Sequence, residues 1–203
     1  DLQKKINSGR CKLLISILEK TKLVNKNILD LGCGDGHASI STKKKFPELN
    51  ITLLDHSANA IKVSKNHSEK FNINNFEYYN EDFSYLFKKK FSFIFSNGSL
   101  HHSQSLNKFF ETVSNNLVDG GFFYCQEPSF SEFKTNDEIE KYYQEDEDIL
   151  GVKIKKKDRN DNFFRVSDIN FHARVNNFDL IESSTVHGWS IKQMNSYNQL
   201  KYY

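Results

Sequence analysis

The 203-residue chain has little cysteine, little proline and no long apolar run. Its 3 cysteines are an odd number, and no two of them form a Cys-x-x-Cys pair, so neither a disulfide framework nor a zinc knuckle is indicated. No stretch approaches the ~18 consecutive apolar residues that span a bilayer, and the N-terminal segment does not have the layout of a signal peptide. We therefore expect a cytoplasmic protein without a membrane anchor, and we predict no metal site.

An excess of charge of one sign is also absent. The 28 basic and 26 acidic residues give a net charge of +2, which argues against a surface that follows nucleic-acid phosphates. The length suits one domain over 1–203 with a full hydrophobic core, and 18 Phe and 9 Tyr supply bulky side chains for it. Because the chain begins at Asp1 and not at Met, we expect a few native residues to precede it.

Short apolar runs alternate with longer amphipathic segments through the first two thirds of the chain. This alternation predicts right-handed β-α-β crossovers, and hence an α/β fold with a Rossmann-like, doubly wound, mostly parallel sheet flanked by helices. Ser57 is expected to cap one of the helices. The predicted strands are 27–31, 51–54, 76–79, 91–96 and 122–126, and the predicted helices are 2–21, 37–46, 57–71 and 104–117.

A heavily charged stretch interrupts this alternation after Pro128. Residues 129–166 are acidic first and basic later, but they also contain aromatic and aliphatic side chains that are able to pack: Tyr142, Tyr143, Ile149, Leu150, Phe163 and Phe164. We interpret 128–166 as a lid over the substrate, inserted after a cofactor-binding core at 27–127. A helix to about Asn177, capped by Ser167, and a strand over 179–185 are predicted next. The tail 186–203 is a candidate for one more edge strand.

The strongest functional signal is Asp30-Leu31-Gly32-Cys33-Gly34-Asp35-Gly36, between a predicted strand and a predicted helix. Glycines there allow a tight turn and a close approach of a ligand to the backbone. A dinucleotide fingerprint would have glycine where His37 stands, and the two aspartates would repel a pyrophosphate. S-adenosylmethionine has no phosphate and carries a sulfonium and an ammonium, so the turn favours this ligand over NAD.

Acidic residues also follow the second and third predicted strands. Asp55 is placed to accept hydrogen bonds from ribose hydroxyls, although NAD sites use the same device and a cap for the next helix is an alternative role. In Asn80-Glu81-Asp82-Phe83, the aspartate is a candidate acceptor for the adenine amino group and the phenyl ring a candidate packing partner of the base. The same composition occurs in ordinary turns.

Together these residues resemble the class I S-adenosylmethionine-dependent methyltransferase superfamily, in particular its small-molecule branch, over about 27–126. The similarity is most specific in residues 28–36 and in Ser96-Asn97-Gly98-Ser99-Leu100-His101-His102. The chain departs from the family at Asp119, where proline is common, and at Ser92, where aspartate is common. Neither departure touches the expected cofactor pocket.

The resemblance implies that different parts of the cofactor contact different positions of the chain. The turn would face the methionine end, Asn97 would lie near the sulfonium, and an antiparallel last strand would come after about Ser190. The implied cofactor-binding residues are Asp30, Gly32, Cys33, Gly34, Gly36, Asp55, His56, Asp82, Phe83 and Asn97.

Methyl transfer is an in-line displacement that needs positioning and, for an acceptor that loses a proton, a base. His101 and His102 are the candidate catalytic bases, since they follow the fourth strand and histidine titrates near neutrality; packing against the next helix is the alternative role. His187 is a weaker candidate. Glu127 is placed to bind an acceptor hydroxyl or amine, or to contact the lid.

The sequence also narrows the acceptor. Ser96-Asn97-Gly98-Ser99 stands where DNA-adenine enzymes carry Asn/Asp-Pro-Pro-aromatic, and neither Pro47 nor Pro128 precedes a cysteine as in cytosine C5 enzymes. We therefore predict transfer to O or N of a small-molecule acceptor, with S-adenosylhomocysteine as the product. Two alternatives stay open: an enzyme that modifies the cofactor itself, and a regulatory protein that binds the cofactor without turnover.

Overall fold

The computed structural model describes residues 1–149, 151–159, 161–187 and 196–202. The strands are β1 Asn27–Leu31, β2 Asn50–Leu54, β3 Phe76–Tyr79, β4 Phe91–Asn97, β5 Leu117–Phe130, β6 Asp146–Ile149, β7 Val152–Lys155, β8 Phe164–Arg165, β9 Leu180–His187 and β10 Ser196–Tyr202. The helices are α1 Leu2–Ile6, α2 Gly9–Lys20, α3 His37–Lys45, α4 Ala58–Lys70, α5 Leu106–Asn116, α6 Asn136–Gln144 and α7 Val166–Val175. None of the described helices is long and apolar enough to cross a membrane.

One sheet organises the described chain. Its strand order is β3-β2-β1-β4-β5-β10-β9, with β8 paired to the end of β5. Strands β1 to β5 run parallel, whereas β10 runs antiparallel to both of its neighbours. The strand order reverses between β1 and β4, and in open α/β sheets a ligand crevice lies at the carboxyl ends of the strands at such a point. The predicted α/β fold with an antiparallel last strand is confirmed.

Hydrophobic side chains fill both sides of the sheet, because parallel strands covered by helices are buried on two faces. Phe109, Phe110 and Phe123 lie in the cluster beneath α5 and α7. Leu14 and Ile61 belong to the opposite cluster, beneath α2 and α4. The aromatic residues thus supply the core, as predicted from the composition.

Four predicted boundaries are wrong. The predicted helix 2–21 is two helices, because the Ser8 hydroxyl accepts a hydrogen bond from the backbone N–H of Cys11 and begins a new helix. The fifth strand extends beyond 122–126 on both sides, and α5 is correspondingly shorter than 104–117. Ser167 is not the cap of α7; the residue there is Arg165, whose N–H donates to the Asp168 carboxylate at 3.2 Å.

The C-terminal tail does not supply an edge strand. Strand β10 inserts between β5 and β9 and pairs with both, which leaves β9 at the edge of the described sheet. The predicted strand 179–185 is β9. The side chain of His187 lies outside the described part of the structure, so its proposed role as a base stays a prediction.

The charged stretch 128–166 is structured where it is described. It contains the end of β5, helix α6, the β6–β7 hairpin, a 3₁₀ turn and β8. The ring of Phe130 packs edge-on against Tyr142 at 5.2 Å and against Tyr143 and Phe163 at 5.9 Å between centroids. Leu150 lies outside the described residues. The packing predicted for these aromatic rings is confirmed, whereas the single domain and the lid role stay predictions.

Candidate active site

The glycine-rich turn follows β1 and adopts left-handed backbone conformations. Gly32, Gly34 and Gly36 have φ values of 80°, 53° and 76°, which residues with a Cβ atom adopt only at a cost. A Cβ atom on Gly32 would lie 2.4 Å from the Ser99 side chain, whereas one on Gly34 would meet no atom within 4 Å. The middle of the turn therefore borders open space while its first glycine is packed against the β4 end of the sheet.

Asp55 ties the ends of β1 and β2 together. One carboxylate oxygen accepts the N–H of Gly34 at 2.9 Å, and the other accepts the N–H of Ser57 at 2.9 Å. Ser57 caps α4 as predicted, with its hydroxyl accepting from Ala60. A carboxylate oxygen has two acceptor sites, so Asp55 keeps acceptor capacity for a ligand's hydroxyl groups.

Asp30 lies beneath the turn and not on its surface. Its side chain accepts a hydrogen bond from the Ser39 hydroxyl at 2.6 Å, and the residue is 1% exposed. Burial raises the pKa of Asp30 to about 7, although the bond from Ser39 favours the ionised form. Near neutral pH this carboxyl group is therefore divided between its neutral and charged forms.

Asp35 and Cys33 contribute in different ways. Burial raises the pKa of Asp35, but hydrogen bonds from His37 and Lys5 more than offset that effect and hold the pKa below its usual range. The Lys5 contact places α1 against the turn. Burial raises the pKa of the Cys33 thiol, so this side chain is a neutral core residue.

A cleft of about 630 Å³ opens beside the ends of β2, β3 and β4. His56, Asp82 and Phe83, three of the expected cofactor-binding residues, line it. Phe83 is held edge-on by Phe109 at 5.6 Å between ring centroids. The Asp82 carboxylate accepts from the N–H and hydroxyl of Ser84, and these bonds lower its pKa.

Asn97, the last residue of β4, carries a buried amide whose oxygen and nitrogen have no hydrogen-bond partner. Buried polar groups without partners are rare, because leaving one unsatisfied costs about 1–3 kcal/mol. Gly98 follows in a left-handed conformation, with φ 77°. The amide is therefore suited to a partner that the protein itself does not provide.

Glu127, within β5, connects the backbone after β4 to the His101 side chain. This residue is 2% exposed, and one carboxylate oxygen accepts the N–H groups of Ser99 and Leu100 at 2.9 and 2.8 Å. The other oxygen lies 2.8 Å from Nδ1 of His101. A buried carboxylate bound in this way fixes both the backbone after β4 and the orientation of the imidazole ring.

His101 and His102 lie side by side, with ring centroids 4.1 Å apart. His102 lines the cleft and its side chain is 41% exposed, whereas that of His101 is 13% exposed. Asp161, from the stretch after the 3₁₀ turn, lies 3.2 Å from Nδ1 of His102 and 3.9 Å from Nε2 of His101. The backbone N–H of Asn162 also donates to the His101 carbonyl at 2.6 Å.

Sequence reasoning gave no role to three residues that contact the predicted site residues. Asn80 donates to the backbone carbonyls of Asp55 and His56 and thereby joins the ends of β2 and β3. The Ser99 hydroxyl donates to the Leu31 carbonyl at 2.7 Å and supports the turn from below. No local sequence pattern indicated a role for Asp161, because an aspartate within a charged stretch is ordinarily solvated.

Known proteins resemble this chain in sequence over part of its length and in its fold. Residues 22–165 match a family model described as a methyltransferase domain. The chain is 40% identical over 100 residues to ribosomal RNA small subunit methyltransferase C of Buchnera aphidicola subsp. Cinara cedri, covering 49% of this chain and 28% of that protein. It is 37% identical over 97 residues to malonyl-[acyl-carrier protein] O-methyltransferase 2 of Ilyobacter polytropus, covering 47% of this chain and 36% of that protein.

A solved structure extends the comparison to the whole fold. The S-adenosylmethionine-dependent methyltransferase from Clostridium acetobutylicum superposes with a TM-score of 0.73 at 16% identity, covering 100% of this chain and 91% of that one. At this identity the likeness concerns the fold alone. By contrast, the chain spans only 28% and 36% of the lengths of the two sequence relatives.

Proposed function

The chain belongs to the methyltransferase-domain family of the class I S-adenosylmethionine-dependent superfamily, and from this we propose that it transfers a methyl group from S-adenosylmethionine to O or N of a small-molecule acceptor. The observation that carries the proposal is the cleft beside the ends of β2, β3 and β4. Asp82 and His102 of the histidine pair line it, and the glycine turn follows β1, the strand between β2 and β4.

The residues present fit the donor. The open space above Gly34 allows a ligand to contact the backbone of the turn, and the unpartnered amide of Asn97 is suited to hydrogen bonding with the bound donor. In this proposal Asp55 accepts from the ribose hydroxyls, while His56, Asp82 and Phe83 enclose the adenine. Asp30 acts from beneath the turn, through its charge and its bond to Ser39.

When bound, S-adenosylmethionine supplies a methyl carbon that its sulfonium leaving group has already activated. The protein then has to hold the acceptor in line with that carbon and exclude water, and well-held geometry is worth about 7–11 kcal/mol. We assign His101 and His102 to the acceptor side, where they promote loss of the acceptor's proton. Glu127 is a positioning residue, because it reaches the acceptor side through His101 and the backbone.

A small acceptor is favoured by two features of this chain. The net charge of +2 provides no strong attraction for phosphates, and the stretch 128–166 packs beside the histidine pair through Asp161 and Asn162. The ribosomal RNA relative matches over about half of this chain, so an RNA acceptor is the competing outcome in the test.

Donor binding is tested by calorimetry with S-adenosylhomocysteine and with an analogue that lacks both ribose hydroxyls. Asp55→Asn should weaken binding of S-adenosylhomocysteine by about 1–3 kcal/mol, or roughly 5–150-fold. It should have much less effect on the analogue, since the hydroxyl partners are already missing. An equal loss for both ligands would assign Asp55 to holding the turn, and binding of NADH instead of S-adenosylhomocysteine would refute the cofactor assignment.

The acceptor is tested by following S-adenosylhomocysteine formation with panels of small carboxylates, phenols and amines, and in parallel with ribosomal RNA. Turnover with a member of the small-molecule panels supports the proposal. Turnover confined to RNA would overturn the acceptor class and keep the reaction. A carboxylated donor bound to the purified protein would indicate modification of the cofactor, and absence of turnover with every acceptor despite donor binding would favour a regulatory role.

A further inference from the structure

The histidine pair and Asp161 form a cluster with the composition of a metal site. One ligand atom from each of His101, His102 and Asp161 lies within 4.8 Å of the others. Ligands about 2.0–2.2 Å from one ion lie roughly 3–4 Å from each other. Asp161 lies 3.2 Å from Nδ1 of His102 and 3.9 Å from Nε2 of His101, and both separations agree with that range.

The surroundings of His101 provide a second, independent observation. Histidines that bind metals almost always donate their other ring N–H to a carboxylate or carbonyl, which fixes the tautomer and the ring orientation. Nδ1 of His101 lies 2.8 Å from the buried Glu127 carboxylate. With the proton held at Nδ1, the lone pair of Nε2 is on the side of the ring nearer Asp161.

We propose that His101 Nε2, His102 Nδ1 and Asp161 bind a divalent first-row transition-metal ion at the acceptor side of the cleft, with Glu127 orienting His101. Two imidazoles and one carboxylate suit Zn²⁺ or Fe²⁺ and leave coordination positions open. Because His102 lines the cleft, those positions are available to an acceptor oxygen or nitrogen, whose proton the ion would make easier to remove.

The role of the ion in methyl transfer rests on the proposed function, whereas the binding of the ion does not. It also places the ion where the sequence predicted none. A metal-bound Nε2 has no lone pair left for a proton, so with the ion in place His101 acts as a ligand and not as a base. Asp161 comes from the stretch 128–166, which would therefore contribute directly to the site.

The test uses the full chain without an affinity tag, stripped of metals by a chelator, and Co²⁺ as a spectroscopic probe of binding. We expect one equivalent to bind with visible absorption bands typical of nitrogen and oxygen ligands, and Zn²⁺ to displace it. Asp161→Asn and His102→Ala should each weaken Co²⁺ binding at least ~10-fold, since each removes one of three protein ligands. Asp158→Asn is the matched control, because this exposed aspartate lies outside the cluster, and it should bind Co²⁺ like the unsubstituted protein.

Glu127→Gln should weaken Co²⁺ binding by about 10–100-fold through the lost orientation of His101, and its thermal unfolding is compared because Glu127 also holds backbone N–H groups. Co²⁺ affinity that Asp161→Asn leaves unchanged, or no binding at millimolar Co²⁺, would overturn the metal site. If methyl transfer persists in either case, the histidines act as bases and the proposed function stands. If Co²⁺ binds as predicted but S-adenosylhomocysteine does not, the proposed function fails and the metal site stands.

Discussion

Replacement of the buried Asp30 by asparagine should change how the stability of the protein depends on pH. Asp30 is 1% exposed, and burial raises its pKa from 3.8 to about 7. Between about pH 4 and pH 7, the folded protein therefore keeps a proton on Asp30 that the unfolded chain has released. Each pKa unit is worth 1.36 kcal/mol, so three units correspond to about 4 kcal/mol.

The direction follows from linkage. For an acid whose folded pKa lies above its unfolded value, the stabilising contribution is complete below about pH 4 and is lost as the pH rises through 7. Asp30→Asn removes this loss and keeps an oxygen that accepts from the Ser39 hydroxyl. The free energy of unfolding of the variant, relative to the unsubstituted protein, should thus increase by up to about 4 kcal/mol between pH 4 and pH 8.

Urea denaturation at half-unit pH intervals measures this difference, with the m-value checked for constancy. Asp158→Asn serves as the control, since this aspartate is exposed and its profile should run parallel to that of the unsubstituted protein. A parallel profile for Asp30→Asn would refute the reasoning. It would mean that the buried carboxyl group ionises as readily in the folded protein as in the unfolded chain.

Three further predictions concern the turn, the helix α4 beside it and the end of β4. Gly36→Ala should destabilise the protein by about 2–4 kcal/mol in urea denaturation, because the residue has φ 76° and the new Cβ would lie 2.3 Å from the Ser64 hydroxyl. Gly9→Ala is the control and should not destabilise the protein, because a Cβ at Gly9 meets nothing within 4 Å. Ser57→Ala should cost about 1 kcal/mol in the same assay through loss of the α4 cap. Asn97→Ala should weaken the binding of S-adenosylhomocysteine by roughly 5–150-fold, or about 1–3 kcal/mol, as measured by calorimetry. The free energy of unfolding should stay unchanged or increase, because the buried amide of Asn97 has no partner within the protein.

Local patterns were sufficient to predict the parallel core. The third strand begins and ends at the predicted residues, Phe76 and Tyr79. Strand β1 also has the predicted bounds. Both are short apolar or aromatic runs bounded by polar turns, so burial and local propensity favour the same structure. The break at Ser8-Gly9 had an equally local cause, a capping serine, but the helical spacing across it concealed the boundary.

The long-range contacts of Glu127 and Asp161 could not be predicted in the same way. Glu127 contacts the backbone of Ser99 and Leu100 across 28 and 27 positions of sequence, and Asp161 reaches His102 from the far end of a charged stretch. These contacts depend on the parallel register of β4 and β5 and on the return of the chain to β8, which no local pattern encodes. Turn and strand signals therefore predicted the glycine turn and the strands around it, whereas tertiary structure brings Glu127 and Asp161 to the histidine pair.

The contact of the stretch 128–166 with the histidine pair leads to a last prediction. The hydroxyl oxygen of Tyr143 accepts the backbone N–H of Phe163 at 2.7 Å, two residues beyond Asp161. Tyr143→Phe keeps the ring packed on Phe130 and removes only this acceptor, at an expected cost of about 1 kcal/mol. Hydrogen–deuterium exchange of the 161–163 amides should then accelerate roughly fivefold, while exchange in β1 and β4 stays unchanged. Tyr79→Phe, on the far strand β3, is the matched control and should leave those amides unaffected; equal exchange in both variants would mean that Tyr143 does not hold Asp161 in place.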